Sequence, residues 1–153
     1  MPTRPISAFA NFSFVATSAR GINSAQFEFP QAELDYIQAH DVQLDHEGRY
    51  TVSAGASYVW EKNTRFYADF LYGYGLRSGF ANTEKLPDYY PVNLGVEHVF
   101  HTKWGAIRQV KLRFDCINVF DEVYQLRNGT GLGISASQYG HRRTFLAGVS
   151  ALF

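Results

Sequence analysis

The chain has 153 residues, enough for one domain, and its 14 basic and 14 acidic side chains give a formal net charge of +0. This balance argues against a general electrostatic grip on nucleic acid, and the single cysteine, Cys116, excludes an internal disulfide framework and a multi-cysteine metal site. Aromatic residues make up 16 % and charged residues 18 %, which is typical of an aromatic-rich soluble β protein or of an outer-membrane β-barrel.

Six segments alternate between apolar and polar residues, and a period of two is the signature of a β-strand with one buried face. The predicted strands span residues 7–17, 50–60, 65–74, 90–100, 110–116 and 144–153. Each is close to the ~9–11 residues that cross a bilayer when the strand is tilted. His98 interrupts the apolar face of the fourth strand near its end.

The connections between these strands alternate in length. Residues 61–64 and 101–106 are predicted as short turns, whereas residues 21–49, 76–89 and 121–143 form long segments. Within the first long segment, PQAELDYIQAH (residues 30–40) predicts a short helix with proline near its start. Short turns at one end and long loops at the other are typical of outer-membrane barrels.

The apolar face carries small residues in mid-strand and aromatic residues at both ends. The tyrosines beside the long loops are Tyr50, Tyr72, Tyr74, Tyr89 and Tyr90. Beside the short turns lie Trp60, Phe100 and Trp104. This arrangement resembles the two aromatic girdles of a membrane barrel, and it predicts that Cys116 packs on the apolar face as a small hydrophobe.

The opposite face is polar and charged. Its charged residues are Arg65, Asp69, Glu97, Lys111, Arg113 and Asp115. In a barrel they would line the lumen, where they could bind a plug domain or form cross-strand charge pairs on a wet inner wall. In a soluble protein the same face would be the solvated one.

Residues 112–153, LRFDCINVFDEVYQLRNGTGLGISASQYGHRRTFLAGVSALF, resemble the C-terminal end of TonB-dependent outer-membrane receptors. The matching motifs are a strand of the form FDxINxFD, a loop of the form YxLRxGTG, and QYGxxR before a closing strand that ends in Phe153. The segments YADFLYGYGLRSG (residues 67–79) and LPDYYPVNLGVEHVF (residues 86–100) are also similar to the family. The resemblance extends over the chain from about Ile6.

This resemblance implies an all-β, antiparallel, up-and-down transmembrane β-barrel segment in the cell outer membrane. Residues 1–153 would be the C-terminal barrel part of a receptor that takes up a siderophore or similar nutrient, with energy from the inner membrane, no cofactor and no catalysis. Members of the family carry an N-terminal plug domain, a TonB box and about 22 strands. No plug, TonB box or signal peptide is recognised in this sequence, so the chain is expected to be a piece that is inactive alone.

The expected partners follow from the same resemblance. They are outer-membrane lipid, the barrel-assembly machinery, the missing N-terminal barrel and plug, and TonB only through that plug; nucleic acid is not expected. In the family, a closing strand with a final aromatic residue resembles the signal read by the assembly machinery. Here that signal would be Phe145, Val149 and Phe153.

Ligand contacts are expected from the long loops, and the candidate residues are Arg77, Tyr89, Tyr124, Arg127 and Tyr139. A metal contact at His40, Asp41, Asp45 and His46 is conceivable, although a solvated polar loop is the preferred interpretation. The glycines of GTGLG (residues 129–133) lack the following helix and spacing of a dinucleotide loop, so a flexible external loop is predicted. Asp121 and Glu122 are adjacent and point apart, and no catalytic set is recognised.

Two other interpretations stay open on the sequence alone. The chain could close on itself as a small outer-membrane barrel or pore, although about six strands are fewer than the usual minimum of 8. It could also be a water-soluble β-sandwich or barrel that acts as a binding module. The small mid-strand residues between aromatic rings argue against a soluble fold.

Overall fold

The computed structural model describes residues 5–23, 29–44, 48–133 and 135–153. The strands in chain order are β1 (Ile6–Phe14), β2 (Ser18–Ala19), β3 (Val42–Gln43), β4 (Tyr50–Trp60), β5 (Thr64–Tyr74), β6 (Arg77–Ser78), β7 (Glu84–Lys85), β8 (Val92–Trp104), β9 (Ile107–Ile117), β10 (Gln125–Arg127), β11 (Gln138–Tyr139) and β12 (Thr144–Leu152). One helix, α1 (Gln31–Ala39), and one 3-10 turn (Phe80–Asn82) lie in the long loops. No helix among the described residues is long and apolar enough to cross a membrane.

The six long strands form one antiparallel sheet in the order β1-β4-β5-β8-β9-β12. Each long strand pairs with the long strand before and after it in the chain, so the topology is up-and-down. The prediction of six antiparallel strands with alternating short and long connections is confirmed. The predicted helix is also present, with Pro30 at its N-cap position.

The hairpin of β8 and β9 is longer than the alternation predicts. β8 continues four residues beyond the predicted end at Phe100, and β9 begins three residues before Val110. Only Gly105 and Ala106 connect the two strands, and Gly105 has a φ of 58°, which suits a tight hairpin turn. The pairing shifts between His101 and Trp104, and this bulge hides the alternation in the sequence.

The sheet is open. β1 and β12 each have one paired neighbour within the part of the chain that the structure describes, and they form the two edges. The self-closing small barrel is therefore not the arrangement that this chain adopts.

The strand register places the apolar series of the six long strands on one face. Two residues predicted on this face are exceptions: Trp104 is shifted by the bulge in β8, and Tyr89 pairs with Gly73 on the polar face. One line of directly paired residues crosses the whole sheet and consists of Ala8, Ala56, Ala68, Leu94, Cys116 and Phe145. Because paired residues of antiparallel strands point to the same side, the apolar series of the six strands merge into one continuous face. Cys116 packs on this face between Leu94 and Phe145, as expected for a small hydrophobe.

The apolar face of the sheet is exposed, whereas most of the buried apolar residues lie in the loops. Phe12 is 68 % exposed, Phe114 47 % and Val149 75 %. One buried cluster instead joins Ile37 of α1, Val42, Ala81 and Leu132. A second cluster contains Leu76, Leu86 and Tyr89. The described chain therefore leaves the large apolar face of the sheet without a protein layer over it.

Candidate functional site: the sheet face and the long loops

Aromatic rings border the apolar face at the loop end. Phe14, Tyr50 and Tyr74 follow one another across β1, β4 and β5 with ring centroids 5.3 Å and 5.8 Å apart. Phe114 and Phe145 stack at 6.0 Å on β9 and β12. These residues are here called the loop-end row. Of the tyrosines predicted beside the long loops, Tyr50 and Tyr74 belong to this row.

A second row of aromatic residues borders the same face at the turn end. Trp60 ends β4, Phe100 lies on β8, and Phe153 follows β12. Trp104 was predicted to belong to this turn-end row. The bulge in β8 instead places Trp104 opposite Ile107, which alternates with Gln109 on the polar face.

The loop-end row is displaced along the strands between the first and the last strand of the sheet. Phe14, Tyr50 and Tyr74 are paired directly, so the row follows the hydrogen-bond direction across β1, β4 and β5. The line of paired residues that begins at Ala8, the third residue of β1, ends at Phe145 on β12, so Phe145 is displaced by six residues relative to Phe14 over five strand steps. Averaged over the five steps, with ~3.4 Å per residue and ~4.8 Å between strands, this displacement corresponds to a strand tilt of about 40°, within the 35–45° of closed barrels.

The turn-end row has a similar slope. The residues paired in line with Trp60 are Thr64, His98, Leu112 and Val149. Phe153 lies four residues beyond Val149, after four strand steps. The two rows therefore have similar average slopes, and they are ten residues apart on β4 and eight residues apart on β12. At this tilt the apolar band is about 21–26 Å high, and barrels in membranes have a band of about 25 Å.

The charges on the opposite face are paired with one another. Asp115 accepts hydrogen bonds from Arg113 Nε at 2.7 Å and from the Tyr67 hydroxyl. Arg65 and Arg113 lie over the Tyr67 ring, with Cζ 5.6 Å and 5.5 Å from its centroid. Glu97 lies 3.9 Å from Arg65 and 4.0 Å from Lys111. This face is therefore a nearly neutral network of cross-strand contacts.

Four aromatic rings lie across glycines of neighbouring strands. These pairs are Phe9 with Gly55, Tyr67 with Gly95, Tyr89 with Gly73, and Tyr124 with Gly140. A β-carbon at any of the four glycines would overlap the ring that covers it. The glycines thus let large rings lie flat on the sheet and on the loop strands.

The turn between β6 and β7 belongs to the second long loop and packs against the first long loop. The Glu33 carboxylate of α1 is buried and accepts a hydrogen bond from the Ala81 backbone N–H at 2.6 Å. Asn82 is also buried, and its Nδ2 donates to the Gln43 carbonyl at 2.8 Å. Buried polar groups of this kind are costly to leave unpaired, so they fix how the two loops meet.

The same turn also forms hydrogen bonds with the third long loop. Asn82 Oδ1 accepts a hydrogen bond from the Leu132 N–H at 2.8 Å, and the Gly79 N–H donates to Thr130 Oγ1 at 2.9 Å. Thr130 and Leu132 belong to the GTGLG segment, which was predicted to be flexible. The structure instead packs this segment against the turn, because a glycine at position 131 leaves room for the Asn82 amide.

Four of the five candidate ligand residues lie in or beside the second buried cluster. Tyr89 and Tyr124 stack with centroids 4.8 Å apart. Arg77 and Arg127 directly follow Leu76 and Leu126, which pack in the same cluster. The Arg77 Nε is buried and has no hydrogen-bond partner among the described residues. The topology thus brings candidates from two loops to one place.

The five candidate ligand residues differ in their exposure to solvent. Tyr139 is 56 % exposed, whereas Tyr89 and Arg127 are buried. Burial raises the pKa of the Tyr89 hydroxyl, and burial also raises the pKa of Tyr124. Tyr89 and Tyr124 therefore stabilise the loop packing as neutral rings, and a ligand role of the five residues stays a prediction.

The chain forms a corner at Asn118, between β9 and β12. The sequence motifs include this residue but do not reveal its role. Asn118 is fully buried, and its Nδ2 donates to the carbonyls of Glu122 at 2.8 Å and His141 at 2.7 Å. Its Oδ1 accepts from the Glu122 N–H at 2.9 Å. The corner aligns the last strand with the rest of the sheet.

An ion pair closes the same corner on the outside. Arg142 Nε donates to Asp121 Oδ1 at 2.8 Å, and the Arg143 N–H donates to the same oxygen at 2.9 Å. The Arg142 side chain, followed by the Arg143 N–H, holds the pKa of Asp121 well below its usual range. Because this pKa is depressed in the folded chain, the contact stabilises the corner above the ordinary carboxyl pKa and weakens as the pH falls into the acid range.

The conceivable metal contact lies partly outside the described residues, because Asp45 and His46 are not among them. The His40 ring stacks on Tyr36 with centroids 4.2 Å apart. The part of the chain that the structure describes holds no group of three or more histidine, cysteine, aspartate or glutamate side chains that could bind a metal ion.

Comparison with known proteins gives no assignment, since neither any family model nor any curated protein matches this chain.

Proposed function

We propose that this chain is a membrane-embedded segment of an outer-membrane β-barrel, and that the barrel is a TonB-dependent receptor for a siderophore or similar nutrient. The observation that carries the membrane part is the exposed apolar face between two aromatic rows that have similar average slopes across the sheet. Its height and slope are those expected of tilted strands that cross a hydrocarbon layer.

The two free edges favour a segment of a larger barrel. In hydrocarbon, unpaired backbone N–H and C=O groups cost several kcal/mol each, so β1 and β12 need partner strands. The stagger of the sheet is that of a barrel wall, and the motifs of the last 42 residues resemble the closing strands of the receptor family. Strands from the remaining barrel would cover both edges.

A soluble β-sandwich is less consistent with the structure. Such a fold needs a second layer over the apolar face, and the described residues supply none. The loops pack on one another and form their own small cores at one end of the sheet.

The last residue of the chain tests the assembly step. When the chain is exported with a signal sequence in a Gram-negative host, we expect Phe153→Ala to lower its amount in the outer-membrane fraction several-fold. Phe153 lies on the apolar side of β12, where an aromatic ring favours the membrane boundary. Leu152→Ala, on the other face of the same strand end, is the matched control and should change this amount little. Recovery of the unchanged chain as a soluble periplasmic protein would overturn the membrane proposal.

A chimera tests the transport step. If residues 6–153 replace the last six strands of a characterised TonB-dependent receptor, we expect a barrel that resists unfolding in SDS until boiled. Uptake of that receptor's ligand should then depend on TonB, and the exchanged loops should lower the affinity for this ligand. A stable chimeric barrel without TonB-dependent uptake would support the membrane segment and contradict the receptor assignment.

A further inference from the structure

The charges of this neutral chain are separated along the strand direction. The long segments 21–49, 76–89 and 121–143 hold ten acidic and six basic residues, a net charge of −4. The turn regions 61–63 and 101–108 hold Lys62, Lys103 and Arg108 against Glu61, a net charge of +2. The basic surplus thus lies at the end with the short turns.

The three basic residues at the turn end lie next to the turn-end row. Lys62 follows Trp60 by two residues, at the tip of the first hairpin. Arg108 belongs to the same alternating series as Val110 and Leu112, so it lies on the apolar face one side-chain step beyond Phe100, the partner of Val110. Lys103 lies at the bulge of the second hairpin. All three residues are exposed.

We propose that Lys62, Lys103 and Arg108 bind the phosphates of anionic phospholipids in the leaflet that surrounds the short turns. This inference rests on the proposed membrane position of the sheet. Aromatic rings mark the depth of the lipid headgroups, and a lysine or arginine just beyond them can extend its charge to the phosphates while its stem covers apolar surface. Arg108 has this position on the lipid-facing side, and Glu61 is the one acidic residue in these turn regions.

The charge of the long loops, at the opposite end of the sheet, determines which end of the protein attracts anionic lipid. The acidic surplus of the long loops repels an anionic surface, so anionic lipid is attracted to the turn end alone. Each lysine or arginine near such a surface contributes to the attraction, and this contribution falls with added salt.

The test uses the full chain, refolded in detergent and then mixed with preformed vesicles. Flotation measures its partition between water and vesicles of phosphatidylcholine alone or with one quarter phosphatidylglycerol. We expect the anionic lipid to raise the partition coefficient on the order of a hundredfold at low salt, and we expect most of this gain to disappear at high salt.

Two triple variants test which basic residues cause the stronger binding to anionic vesicles. Lys62→Gln, Lys103→Gln and Arg108→Gln together should remove most of the gain from phosphatidylglycerol. Arg20→Gln, Lys85→Gln and Arg143→Gln remove three exposed positive charges beside or within the loops, so this variant is the control with the same change in net charge and should keep the gain. An equal loss in both variants, or no gain in the unchanged chain, overturns the proposal.

Two further readouts separate the possible causes. Failure of the chain to bind either kind of vesicle would count against the membrane position itself, whereas tight binding without preference for phosphatidylglycerol would refute only the inference about headgroups. Inorganic phosphate should displace the chain no better than chloride at equal ionic strength; selective displacement would indicate a pocket for free phosphate and would contradict a lipid surface.

Discussion

Replacing Asn118 with alanine is expected to destabilise the folded chain by about 3–5 kcal/mol, because it removes three partly buried hydrogen bonds and puts alanine in a left-handed conformation. The side chain is fully buried and bridges the backbone of Glu122 and His141, and its φ is 51°. Without the amide, the backbone groups of Glu122 and His141 that it pairs would lose their hydrogen-bond partner at a partly buried site. The measurement is the free energy of unfolding by urea in detergent micelles, followed by far-UV circular dichroism.

Two other variants separate the contributions at this corner. Asn118→Gly keeps a residue that tolerates positive φ but lacks the amide, so it should recover about 1 kcal/mol relative to alanine. Asn11→Ala removes an exposed amide with one hydrogen bond of 3.2 Å to Ser53, and we expect a change within about 0.5 kcal/mol. Equal effects of Asn118→Ala and Asn11→Ala would show that the corner does not hold the last strand in place.

The second large effect is expected from an arginine in the middle of the apolar band. Ala54→Arg should lower the stability of the sheet in a lipid bilayer by about 2–4 kcal/mol, because the charge would lie at the depth of the acyl chains. Ala54 lies in the middle of the band on β4, six residues from Trp60 and four from Tyr50. The measurement is urea unfolding, in thin-bilayer vesicles, of the chimeric receptor barrel that carries residues 6–153, in which both sheet edges have partner strands.

The control is the neighbouring residue on the same strand. Ser53 points to the polar face, where it accepts a hydrogen bond from Asn11, so Ser53→Arg should cost less than about 1 kcal/mol. The two variants have the same charge and differ in the face that carries it. If both proved equally mild in vesicles, the apolar face would not contact lipid, and the membrane proposal would fail.

The sequence predicts the sheet well because its signal is local. Alternation over nine or more residues defines a strand face without knowledge of its partner, and Pro30 marks the start of the helix. For the same reason, the sequence does not predict where β8 and β9 end at their shared hairpin. A bulge near Lys103 breaks the alternation, so HTKWGAIR reads as a loop although β8 and β9 both extend into it.

The loop packing depends on contacts between distant residues, and one sequence does not reveal them. Asn82 and Asn118 look like ordinary loop asparagines, since burial is decided by the segments that fold over them. Tyr89 and Tyr124 are 35 positions apart and stack only because the register of β8 and β9 aligns their loops. For this reason Tyr89 reads as an exposed ligand residue in the sequence, although it is buried in the structure.

The rings that lie across glycines constrain the order in which this protein can change during evolution. While Tyr67 covers Gly95, any side chain at position 95 collides with the ring, so the glycine cannot be replaced first. A smaller residue at position 67 opens the space and makes the second replacement tolerable. Among relatives of this chain, the loss of the ring at position 67 should therefore precede the loss of the glycine at position 95.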